Sequence, residues 1–145
     1  MNKPKPNISE VEETSGTFRI KVDNIITFDE PTCNGRIYRK ECMPDILQQM
    51  NEREIFLYKE PFSEDIHSLP LGILDKDSIK ETDYKISCDF VISDETVKDF
   101  LRTDSSCIHV YPSYMGYLDH VYNDPDITAF VLEPRLMSFS IEVIS

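Results

Sequence analysis

Residues 32–43 read TCNGRIYRKECM, and the succession of residue types in that stretch orients everything around it. Asn34-Gly35 is a turn dipeptide, because both residues accept positive φ at little cost. Arg36-Ile37-Tyr38 follows as a short extended run. Pro44 comes next where a helix tolerates proline, in its first turn. Met43, Ile46, Leu47 and Met50 then recur at helical spacing and predict a helix near 43–51. A turn hands a strand end directly to a helix, with Arg36 and Tyr38 placed to cover a sheet.

Outward from this phrase, strands predominate. TFRIKVDNIITFDE (17–30) alternates apolar and polar residues and predicts two strands around a turn at Asp23-Asn24. EIFLYKE (54–60) predicts another. LPLGILD (69–75) and DYKISCDFVI (83–92) read as strands separated by the charged turn KDSIKET (76–82), with Tyr84, Ile86, Cys88 and Phe90 on one face. Ser93 or Asp94 can cap a helix near 94–102, where Val97, Phe100 and Leu101 form an i, i+3, i+4 stripe. CIHVYPSYMGYLD (107–119) reads as two runs broken at Pro112 and Gly116. ITAFVLE (127–133) and RLMSFSIEVIS (135–145) close the chain as strands.

That makes about eight strands and two short helices with no βαβ rhythm. The expectation is one α+β domain, built on a mostly antiparallel, partly closed sheet or barrel. With 145 residues, eight Phe and seven Tyr, there is chain enough for one core. MNKPKPNISEVEETSG (1–16) has the composition of a solvated segment, so residues 1–16 are expected to be an extended arm ordered by a neighbouring protein, with the domain proper at 17–145.

A formal net charge of −12 excludes the basic footprint that nucleic acid requires and disfavours an anionic membrane surface. It suits solubility, or docking on a basic protein surface. Cys33, Cys42, Cys88 and Cys107 form no C-x-x-C pair, and Asp75-x-Asp77 lacks the length and glycine of a calcium loop, so neither metal nor cofactor is expected. No N-terminal stretch resembles a signal peptide and no apolar run approaches the roughly 18 residues of a membrane span. Free thiols in a reducing cytoplasm are the default.

In the order of its pieces the chain resembles the bacteriophage prohead (capsid maturation) proteases, which share a fold with herpesvirus assemblin. Such proteases carry a phrase like N-x-R-x-Y-P before a helix. Here it stands as Asn34-Gly35-Arg36-Ile37-Tyr38, with Arg39 in place of the proline. DIHSLPLGILD (65–75) puts His67 where that family has its catalytic histidine, with Gly72 opening the following strand. DYKISCDFVI, ETVKDFL (95–101) and IHVYPSYMGYLD follow in the family's order of strand, helix and nucleophile strand. RLMSFSIEVIS resembles the family's late L-x-E-V-S-L-V strand. The resemblance spans roughly Thr17 to Ser145.

Carried over by position, the resemblance makes Ser113 the nucleophile, His67 the general base, and His109 or His120 the orienting third member. Asn34, Arg36 and Tyr38 become a fold signature that can also serve binding. The nucleophile strand departs from the family's S-x-G spacing. It reads Pro112-Ser113-Tyr114-Met115-Gly116, so keeping Gly116 in register puts Tyr114 at the nucleophile position. A one-residue slip turns a strand side chain to the opposite face. His67 beside Glu64 and Asp65 reads equally as a surface-loop histidine, Ser113 as a strand serine next to a proline, and His109 as a half-buried strand histidine. Tyr111, Tyr114, Tyr117 and Tyr122 read as core and interface area. Two functions are therefore expected. One is an auxiliary capsid protein that has lost catalysis and binds the major capsid protein or other virion proteins, assembled in the host cytoplasm and carried in the virion. The alternative is an active serine-type maturation protease acting on capsid and scaffold proteins.

Overall fold

A computed structural model describes residues 4–32, 35–59, 69–120 and 129–144. Its elements in chain order are β1 (Ile8–Thr14), β2 (Thr17–Thr27), β3 (Arg36–Tyr38), a 3-10 turn (Lys40–Cys42), α1 (Met43–Glu52), β4 (Phe56–Lys59), β5 (Gly72–Thr82), β6 (Lys85–Ile92), α2 (Glu95–Thr103), β7 (Ile108–His120) and β8 (Ala129–Val143). The strands form one curled sheet in the order β1-β2-β6-β5-β4-β8. β7 runs antiparallel along one edge of β8. β4 and β3 share its other edge and both pair parallel, β3 at Ala129–Val131 and β4 at Phe139–Ile141. The α+β, mostly antiparallel, partly closed sheet expected from the sequence is the fold observed.

Both helices lie where apolar spacing places them. α1 buries Ile46 and Met50 completely, and carries Pro44 in its first turn. Asp94 is the cap of α2, its Oδ1 accepting from the Val97 N–H at 2.9 Å. Leu101 of α2 is buried, whereas Phe100 stays 43% exposed.

Five predicted strand breaks are absent. Asp23-Asn24 does not turn the chain. β2 runs on to Thr27 with a bulge between Val22 and Ile26, where Asn24 takes φ 50° and its N–H donates to Ser87 Oγ at 3.0 Å. KDSIKET is part of β5, whose register slips between Asp75 and Lys80. Ser78 fills the slip, donating to Asp75 O at 2.6 Å and accepting from the Asp89 N–H at 2.7 Å. The true hairpin turn is Asp83-Tyr84, both at positive φ (52° and 61°), so Tyr84 leaves the face shared by buried Ile86, Cys88 and Phe90. Pro112 and Gly116 lie within a continuous β7. Pro134 lies within a continuous β8, in a bulge opposite Gly116 where Glu133 takes φ 51°.

The core fills the inside of the curl. Phe18, Ile20 and Val22 of β2 meet Ile86, Cys88 and Phe90 of β6, and Phe90 lies edge-on to Phe139 of β8 at 5.1 Å. Outside, Asp75 and Asp89 stand directly opposite each other on β5 and β6. Such a like-charge pair is unfavourable alone, and the Arg19 guanidinium binds both carboxylates.

The chain ahead of Thr17 is tied to this sheet. β1 pairs with β2 through a two-residue turn at Ser15 (φ 51°) and Gly16 (φ 81°). Just before it, Asn7 closes the curl onto β7. Its N–H donates to Ile108 O at 3.2 Å and its C=O accepts from the Asp23 N–H at 2.8 Å. Its amide side chain exchanges two bonds with the Val110 backbone, at 2.7 and 2.8 Å. No helix among the described residues is long and apolar enough to cross a membrane.

Candidate functional site

The centre of β7 holds Ser113, the candidate nucleophile, and Tyr114 beside it. Ser113 lies opposite Ser138 of β8, and its Oγ is 3.4 Å from Ser140 Oγ. Ser138 and Ser140 are both buried. A hydroxyl can share a proton with Ser113 but is far too weak a base to take it at neutral pH. His109 precedes Ser113 by four residues on the same strand, which separates them by about 13 Å. The His109 ring stacks on Tyr111 at 5.6 Å, and its Nδ1 lies 2.8 Å from Lys5 O. The backbone therefore keeps His109 away from Ser113. His67 lies outside the described residues, as does Asn34. His120 ends β7.

The N-G-R-I-Y phrase delivers its tyrosine to this strand. Thr32 closes the turn, its C=O accepting from the Gly35 N–H at 2.9 Å and its Oγ1 from the Arg36 N–H at 3.1 Å. Arg36–Tyr38 then forms β3, and the Tyr38 ring packs against that of Tyr114 with centroids 4.5 Å apart and planes tilted by 38°. Arg39 sits over the Phe130 ring at 4.4 Å, a cation–π contact where the related phrase has proline. Burial pushes the Tyr38 phenol up to about 12, the charge of Arg36 opposing it. Tyr114 is pushed well above the ordinary tyrosine value, first by burial and then by Tyr38 and Cys42. Its hydroxyl and Arg36 Nε are both buried without a hydrogen-bond partner among the described residues.

Gly116 has a packing reason of its own. A Cβ there would meet Leu132 O and Val131 Cγ1, each at 3.1 Å. The strand crosses the β8 bulge at this point, and a side chain would press on the partner's backbone. Keeping that glycine in register keeps Tyr114 in register too. The ladder adds a second shift, since Ser113 opposes Ser138 while Tyr114 opposes Leu136, leaving Met137 unopposed.

No protein-family model matches the chain, and no curated protein does. Among solved structures it is similar to the bacteriophage T4 capsid assembly protease, gp21, with a TM-score of 0.73 over 99% of each chain at 13% sequence identity. The fold is prohead protease-like. At that identity the likeness is one of fold.

On this prohead-protease-like fold, sequence order named Ser113 and Tyr114 but not Ser138 and Ser140, which stand beside them on β8. Serines in a strand of alternating residues carry no local signal, and Ser140 meets Ser113 only across the β7–β8 ladder, 27 positions away. Among the described residues no group of three His, Cys, Asp or Glu side chains could hold a metal ion. The Cys88 thiol is buried in the core, and desolvation pushes it far above its ordinary value. It is a packing residue rather than a nucleophile.

Proposed function

We propose that this chain is a bacteriophage capsid-associated protein that uses a prohead-protease-like fold to bind the shell rather than to cleave it. The observation that carries the proposal is Tyr114. It stands two residues before Gly116, where the related proteases have serine, and its ring is packed against Tyr38 with the hydroxyl sealed in the interior. The neighbouring Ser113 has a serine hydroxyl as its partner. The partners are the major capsid protein or other virion proteins, and the location is the virion after assembly in the host cytoplasm. A net charge of −12 supports docking on a basic shell surface.

A second reading has one observation in its favour: the whole-chain likeness is to a protease. In it, Ser113 attacks a peptide carbonyl, His67 takes the proton, and an acyl-enzyme forms as the amine leaves. One assay separates the two. Purified protein is incubated with capsid and scaffold proteins, and both cleavage and co-sedimentation with shells are followed. Shell binding without cleavage is expected, with Ser113→Ala indistinguishable from the parent. Specific cuts that vanish in both Ser113→Ala and His67→Ala restore the protease.

A further inference from the structure

Among the described residues β1 ends the strand order, pairing with β2 on one side only. Its hairpin determines which backbone groups are free. A two-residue turn makes Thr14 and Thr17 a hydrogen-bonded pair, and bonded pairs then alternate as Glu12–Arg19 and Glu10–Lys21. Val11 and Glu13, opposite Ile20 and Phe18, therefore direct their N–H and C=O groups away from β2. That edge adjoins a cleft of about 530 Å3 between β1 and the end of α2. Ser9, Val11 and Glu13 line one side, and Thr103, Asp104 and Ser106 line the other. Three carboxylates (Glu10, Glu13, Asp104) against the one guanidinium of Arg102 leave the lining two charges negative. Arg102 is already held by Glu13 and Asp99.

We propose that the β1 edge is a strand-acceptor site, taking an extended, basic segment of a shell protein by β-strand addition. This deepens the shell-binding reading and rests on it for the partner being a shell protein. Main-chain bonds to Val11 and Glu13 supply the attachment, and the negative rim selects the charge. A second copy of this chain is a poor occupant, because Glu10, Glu12 and Glu13 would face their own kind across the new ladder. Glutamates on an edge strand repel acidic strands and so disfavour pairing with them. A cationic strand turns the same charges into attraction.

The test uses the full, isotopically labelled chain and the synthetic peptide acetyl-(Lys-Val)4-amide, reading amide hydrogen exchange. Exchange at Val11 and Glu13 is expected to slow by tenfold or more, with no such change from the (Glu-Val)4 peptide or from (Lys-Val)4 N-methylated at alternate residues. Val11→Pro removes one outward N–H while sparing the β1–β2 bonds, since proline is accepted on an edge strand, and should weaken binding about tenfold. If that variant melts early, Glu10→Gln with Glu13→Gln probes the rim instead and should weaken binding severalfold. Unchanged exchange at Val11 and Glu13 under saturating peptide overturns the inference, as does equal binding of the N-methylated or the acidic peptide. Co-sedimentation with shells separates the two failures. A chain that binds shells without protecting β1 keeps the shell-binding reading and loses the edge. A chain whose β1 is protected by the peptide but which ignores shells keeps the edge and loses the shell as partner.

Discussion

Tyr114 takes a hydroxyl into the interior and leaves it without a partner among the described residues, which costs the desolvation of that group with no bond in return. Its ring is well used, packed on Tyr38 at 4.5 Å and against the core. Tyr114→Phe keeps the ring and removes the uncompensated oxygen, so it should stabilise the protein by about 1 kcal/mol. Urea unfolding checks this, with the midpoint rising at unchanged slope. A destabilised variant would mean that the hydroxyl is bonded after all. Ser113→Ala gives up a single long contact of 3.4 Å to Ser140 and should change stability by less than about 0.5 kcal/mol.

At the scale of elements, β5 begins at Gly72 because nothing larger fits there. A Cβ would stand 2.5 Å from Val91 O and 3.1 Å from Ile92 Cδ1 of β6. The first of these is backbone, which can yield only by opening the β5–β6 ladder. Gly72→Ala should therefore destabilise by about 1–3 kcal/mol, seen as a lower Tm. An unchanged Tm would show that the two strands separate freely. The resemblance marked this glycine as a strand opener, and the sequence itself announced both helices, because caps, proline position and apolar spacing are all local. It failed at Asp23-Asn24, at KDSIKET, at Pro112 and Gly116, and ahead of Arg135. Pro112 pairs with Phe139 without a shift, and the others are irregularities absorbed within the sheet: Ser87 of β6 serves Asn24, Ser78 of β5 bonds Asp89 of β6 across its slip, and the β8 bulge receives Gly116. Local residues can mark a break, but only the partner strand decides whether it becomes a turn or a bulge. The candidate site was legible to the same extent. Ser113 and the Tyr114 register were named through the resemblance carried along one strand, whereas Ser140 and the Tyr38–Tyr114 contact depend on the sheet that unites β3, β7 and β8.

Over the whole molecule, two devices hold the first strand, and they respond to different conditions. Arg102 reaches from α2 to Glu13 of β1, with Nε to Oε2 at 2.9 Å, and it holds the Glu13 carboxyl below the ordinary carboxylate value. A depressed folded-state pKa contributes stability above the ordinary value and loses it as pH falls through the folded one. Acidification should therefore lower the protection of the amides in the last turn of α2 relative to their intrinsic exchange at each pH, and Arg102→Gln should remove that loss of protection. Asn7 is insensitive to such titration. It bonds Ile108, Val110 and Asp23 at once, and Val110 is fully buried. Asn7→Ala strips both the N–H and the C=O of Val110 of their partners, a loss of about 2 kcal/mol or more. For a domain of this length, that lowers Tm by several degrees, about 2–4 °C for each kcal/mol. Exchange at Val110 should accelerate more than exchange in β6, because the curl opens at its seam before the core melts. Removing residues 1–16 takes away both this clamp and β1, and should unfold much of the sheet rather than merely release a tether. If Asn7→Ala and the truncated chain both melt like the parent, the N-terminal segment belongs to a neighbouring protein's surface and not to this sheet.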